Sequence, residues 1–199
     1  MKVTLKNTRF LFYASIVNIL VCALFFFFLL EGIITPFFNV LLVEYCLFMM
    51  LTLVYFIRVL MHLNEATAVI AAFSMFTGVV AISIVDTIFP RLLNTNYANW
   101  LGTLTEVISL LVAFRSFFLK TPAIRVPFRL FGAGLGLIVL PRLFVQLVET
   151  NFNGGLISIT GDLGILIVLS ATVFILKRMM NLPDQGAEQP VEVEGEQIS

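Results

Sequence analysis

The stretch FLFYASIVNILVCALFFFFLL, residues 10–30, is broken only by Ser15 and Asn18 and follows Lys2, Lys6 and Arg9. A run of that length matches one crossing of a hydrocarbon core about 30 Å thick at about 1.5 Å per helical residue. No small-x-small cleavage pattern precedes Glu31, so the segment reads as an uncleaved signal anchor. Its four consecutive phenylalanines, Phe25 to Phe28, and the later run Leu47-Phe48-Met49-Met50 are apolar on every side. A transmembrane β-strand would instead alternate apolar and polar residues over about 10 positions, so the expected fold class is all-α and a barrel is excluded.

Working outward, further apolar stretches lie at 37–60, 67–89, 98–119, 127–148 and 156–176. The expectation is a polytopic integral membrane protein, a six-transmembrane-helix bundle over residues 1–181. Of the 199 residues 60% are hydrophobic and 12% charged, against about 45–50% and 25% in soluble domains, which supports the membrane class. Pro90, Pro122 and Pro127 fall at expected helix ends, Asn153-Gly154-Gly155 reads as a turn, and Pro141 sits inside the fifth span, where it should kink the helix. Residues 182–199 carry Asp184, Glu188, Glu192, Glu194 and Glu196 without a basic residue and read as a disordered acidic tail.

The formal net charge of zero resolves into an orientation. With the N-terminus inside, Lys2, Lys6, Arg9, Arg58, Arg115, Lys120, Arg125, Arg129, Lys177 and Arg178 lie on the cytoplasmic side, and only Arg91 and Arg142 fall in the outer half. That bias predicts both termini in the cytoplasm and a multi-pass location in a cell membrane, best matched by a bacterial inner membrane. Basic residues spread along membrane boundaries also exclude a nucleic-acid partner, which needs a concentrated basic face.

Ionisable groups within the spans cost about 2.5 kcal/mol or more each. Glu44, Asp86, Glu106, Arg142 and Asp162 are five such groups, on five different spans. Counted from the outer span ends they lie roughly 10, 5, 12, 9 and 9 Å deep, which is one layer. Ser109 follows Glu106 at three residues, and Gln146 lies one turn outward from Arg142. Four ionised acids with one guanidinium would give the layer a charge of −3, untenable in low dielectric without a proton, a cation or water. Two readings stand: an outward-open site for a small ligand, proton or cation, with Arg142 paired to Glu106 or Asp162, or structural ion pairs and snorkelling groups near the outer interface. Asp86 is shallow enough to be simply solvated.

Other polar and small residues read as structural. Asn18 is expected to hydrogen-bond across to a neighbouring helix, Gly132 and Gly136 form a small-xxx-small pair, Gly161 and Gly164 add small residues to the last span, and Tyr97 and Trp100 match an interfacial aromatic belt. The lone histidine, His62, reads as a surface residue beside Glu65 and cannot build a bis-His haem within one chain. Lys2, Lys6, Lys120 and Lys177 lie at or beyond span ends, so none forms a mid-membrane Schiff base. Cys22 and Cys46 read as buried thiols, and no Ser-His-Asp order, phosphate loop or zinc helix supports an enzyme. No metal and no cofactor are implied.

In span count and orientation the chain resembles the multi-helix membrane sensor modules that bacterial signalling proteins carry ahead of cytoplasmic output domains, and departs from them in ending on a short acidic tail. The expected function is a non-enzymatic sensor module or accessory subunit that binds a small ligand, proton or cation from the outer side. The alternative is a small cation-coupled transporter or channel using Glu106 and Asp162. Its expected partners are the lipid bilayer and either another membrane protein or a second copy of the chain.

Overall fold

Local capping signals set the helix ends in the computed structural model, which describes residues 3–30, 36–88, 95–148 and 154–182. The Thr4 hydroxyl accepts from the Asn7 amide at 3.3 Å and caps α1 (Leu5–Leu30). At the end of α2 (Pro36–His62), the Glu65 amide donates to the Leu60 carbonyl at 3.0 Å and the Asn64 amide to that of Met61 at 3.1 Å. Asn64 has φ 51°, which makes this a Schellman termination with asparagine in the left-handed position. α3 (Thr67–Ile88) follows directly, then α4 (Thr95–Ser116), α5 (Pro122–Val148) and α6 (Gly154–Met180).

Among the described residues all six elements are helices, and five contain segments long and apolar enough to cross a membrane: Leu5–Leu24, Val43–His62, Thr67–Asp86, Pro122–Val145 and Ile159–Met180. They fit a lipid-embedded protein. The sixth, α4, has comparable length but is diluted by Asn96, Asn99, Thr103, Thr105, Glu106 and Arg115. Two local expectations change. Pro127 lies inside α5, not at its end, because Pro122 at the first position starts the helix five residues earlier. Gly154 and Gly155 belong to the first turn of α6. The turn residue Asn153, Pro90, Arg91 and the acidic tail from 183 onward lie outside the described residues.

Each helix packs against its neighbours in sequence, and α6 returns to α1, closing a ring of six. Among the described residues no other helix pair brings its Cα atoms within 8 Å. The α5–α6 seam is tight because both helices present glycine there. A Cβ on Gly134 would meet the Gly164 carbonyl oxygen at 2.9 Å, and one on Gly164 would meet the Gly134 oxygen at 2.7 Å. Gly132 makes the corresponding approach to α4, 2.9 Å from the Ala113 oxygen. The close pair is therefore not Gly132 with Gly136, whose Cβ would have only Leu140 at 3.9 Å, and Gly161 faces open space. Residues four apart share a face of one helix, but which of them meets a neighbour depends on how that neighbour crosses.

The ring is filled at one end. Phe56 of α2, Phe73 of α3, and Phe128 and Phe131 of α5 are at most 1% exposed and meet across the axis with centroid separations of 5.3–6.0 Å. This plug lies toward the end that carries residues 3–9, the 62–66 and 117–121 turns and residues 177–182, which we call the basic end. Toward the opposite end packing loosens: no described side chain is buried beyond Val79 in α3, beyond Val139 in α5 or before Ile108 in α4.

Candidate functional site

With no water in a hydrocarbon core, each buried polar atom needs a partner inside the protein. Most hydroxyls in this bundle find one on their own helix, four residues back. Ser15 donates to the Leu11 carbonyl at 2.8 Å, Thr77 to Phe73 at 2.8 Å, Ser109 to Thr105 at 2.6 Å, Ser116 to Val112 at 2.8 Å and Thr172 to Val168 at 2.9 Å. Between helices, Thr8 of α1 pairs with Tyr55 of α2, and Ser83 of α3 lies 3.4 Å from Thr105 of α4.

Against that rule stand Asn18 Nδ2, Asn18 Oδ1, Thr52 Oγ1 and Glu106 Oε2, all buried without a hydrogen-bond partner among the described residues. Asn18 and Thr52 are each 1% exposed. Asn18 continues the buried face of α1 formed by Thr8, Leu11 and Ser15 at spacings of three, four and three. Thr52 lies one turn from Phe56, above the plug. Glu106 lies three residues from Ser109, on the edge that continues through Ala113 and Ser116 to the Gly132 contact with α5. Thr52 is ten residues from the basic end of α2 and Glu106 ten from that of α4, roughly 15 Å each, and Asn18 lies roughly 20 Å up α1. Three helices thus contribute unpartnered polar groups at one mid-bundle level.

The remaining residues of the expected layer are arranged differently. Glu44, Arg142 and Asp162 are exposed, and Asp86 and Glu106 are half-buried. Arg142 lies three residues beyond Val139, the last described buried residue of α5, at the loosely packed end. No ion pair joins Arg142 to Glu106 or Asp162 among the described residues. Ser109 is buried but satisfied by Thr105, and the Gln146 side chain lies outside the described residues. Among the described residues no group of three His, Cys, Asp or Glu side chains could hold a metal, and Cys22 and Cys46 are free thiols. Among the described residues the hydrogen bond expected from Asn18 to a neighbouring helix is not made.

Thr52 was not legible as a site residue, because one threonine in an apolar run ordinarily bonds back to its own helix. Glu65 was also missed. It is 5% exposed while His62 is exposed, and its carboxylate accepts from the Lys120 amide at 2.9 Å and the Thr121 amide at 2.8 Å. Burial pushes this carboxyl up, but hydrogen bonds from the Thr121 hydroxyl and the two amides, with the Lys120 charge nearby, outweigh it and hold the group below its ordinary value. Arg125 and Arg129 complete the corner, donating to the carbonyls of Leu119, Lys120 and Phe117 at 3.0, 2.8 and 3.1 Å. These groups fasten the 117–121 turn and are structural.

No protein-family model, curated protein sequence or solved structure matches this chain. Its six-helix ring and mid-bundle polar level therefore carry the functional argument unaided.

Proposed function

We propose that the chain is a non-enzymatic multi-pass membrane protein that takes a small cation or protonated amine into the bundle and serves as a sensor module or accessory subunit of a membrane complex. On this reading all six helices span a bacterial inner membrane, both termini are cytoplasmic, and the ligand enters from the outer side. The supporting observation is the level of unpartnered buried atoms on Asn18, Thr52 and Glu106. Two carbonyl-type oxygens and a hydroxyl oxygen are acceptors suited to an ammonium or a partly dehydrated cation. A carboxylate oxygen left without a hydrogen bond in the membrane is costly until such a partner arrives. Looser packing above and the phenylalanine plug below favour entry from one side over passage, so binding ranks ahead of transport.

Thermal unfolding in lipid nanodiscs, with sodium, potassium or methylammonium chloride titrated against N-methylglucamine chloride, tests the reading. At least one of these ions should raise the midpoint in the wild type and fail to do so in Glu106→Gln. The absence of any ion-dependent shift overturns the proposal. Thr52→Val supplies a second sign. It removes an unpaired buried hydroxyl at nearly constant shape, so the ligand-free protein should gain on the order of 1 kcal/mol. A loss of stability would mark Thr52 as a structural hydrogen-bonding residue instead.

A further inference from the structure

Outside the ring, α5 and α6 form an open apolar groove lined by Leu130, Leu166, Ile167, Ser170, Ala171 and Phe174. It belongs to the protein's outer surface: Leu130, Leu166 and Phe174 are 46%, 55% and 38% exposed, while Ala171 forms its floor at 2%. Along α6 it runs from Phe174 to Leu166, roughly 12 Å at 1.5 Å per residue, within the membrane-length segment Ile159–Met180. Ile167, Ala171, Phe174 and Arg178 follow one another at spacings of four, three and four, so the groove's stripe ends on a cation. The exposed Arg178 guanidinium sits 5.4 Å from the Phe174 ring centroid, folded back over the end of the groove, and makes no ion pair among the described residues.

We propose that this groove binds an anionic phospholipid from the leaflet at the basic end, with one acyl chain along Leu130, Leu166 and Phe174 and the phosphate on Arg178. Charge and shape select this occupant. The groove is apolar along its length and open sideways, as an acyl chain requires, and the Arg178 guanidinium stands at the helix end, where a headgroup phosphate lies. A guanidinium meets a phosphate with two parallel hydrogen bonds, which an uncharged headgroup of the same leaflet cannot exploit equally. A second copy paired through the same groove would instead bring its own Arg178 alongside this one, like charge against like charge, which is costly. The inference is independent of the interior site and of which side of the membrane the basic end faces.

Native mass spectrometry of the full chain, released from micelles containing equal amounts of phosphatidylglycerol and phosphatidylcholine, provides the test. The wild type should retain one phosphatidylglycerol in preference to phosphatidylcholine. Arg178→Gln should reduce that preference roughly tenfold, as expected for loss of one charge-assisted contact. Arg58→Gln, an exposed arginine on α2, should leave it unchanged, and Ser170→Phe should displace the lipid by filling the groove. Equal retention of the two lipids, an unchanged preference in Arg178→Gln, or an equal loss in Arg58→Gln would overturn the proposal. So would spontaneous disulfide dimers of Ser170→Cys in oxidising nanodiscs, since a second copy would then occupy the groove.

Discussion

Glu65 illustrates how much one carboxylate contributes when two turns depend on it. Its oxygens receive two backbone amides that precede α5, and its own amide closes the end of α2. Hydrogen bonds to a charged acceptor contribute about 1.5–3 kcal/mol, and replacing the carboxylate by a neutral amide forfeits part of that. Glu65→Gln is therefore expected to cost roughly 1–2 kcal/mol at neutral pH. The pH dependence has a definite sign, because the folded protein holds the carboxyl below its ordinary 4.5. The stabilisation is complete above that value and is lost as pH falls through the depressed one. Denaturation in detergent from pH 7 to pH 3 should show the wild type losing stability toward acid, the variant responding less, and the two converging. A constant gap across the range would refute a charged role. Glu65 was legible in the sequence only as an acid near His62, because its partners are 55 and 56 residues away.

At the scale of elements, apolar run length and capping residues carried most of the information. The expected span 37–60 is α2 (Pro36–His62), and the expected 67–89 is α3 (Thr67–Ile88). What a run cannot convey is which glycine meets which helix. Gly134 and Gly164 form the α5–α6 crossing, whereas Gly136 of the expected pair has room for a methyl group. Gly134→Ala should thus lower stability by about 1–3 kcal/mol, as rigid backbone across the seam has to move. Gly136→Ala should be neutral or raise it by up to about 1 kcal/mol through helix propensity. Thermal midpoints of the two variants in one detergent check this, and equal losses would show that the seam tolerates a methyl where contact distances forbid it.

For the whole molecule, the distribution of Lys and Arg predicts the proposed orientation. Green fluorescent protein fused after Ser199 should fluoresce, and alkaline phosphatase fused after Asn94, between α3 and α4, should be active. The reverse pattern would invert the bundle and assign ligand entry to the cytoplasmic side. Composition and run length alone determined an all-helical, membrane-suited chain, because transfer from water to lipid depends on the summed apolarity of consecutive residues. Depth along each helix was also readable, since the rise per residue is fixed, and it drew attention to Glu106. Azimuth was not. Only tertiary structure separated the exposed Glu44 and Asp162 from the buried Asn18 and Thr52, closed the ring between α1 and α6, and set four phenylalanines across its axis. The physical reason is that a helix in lipid can bury any face, and the packing of its neighbours selects which one.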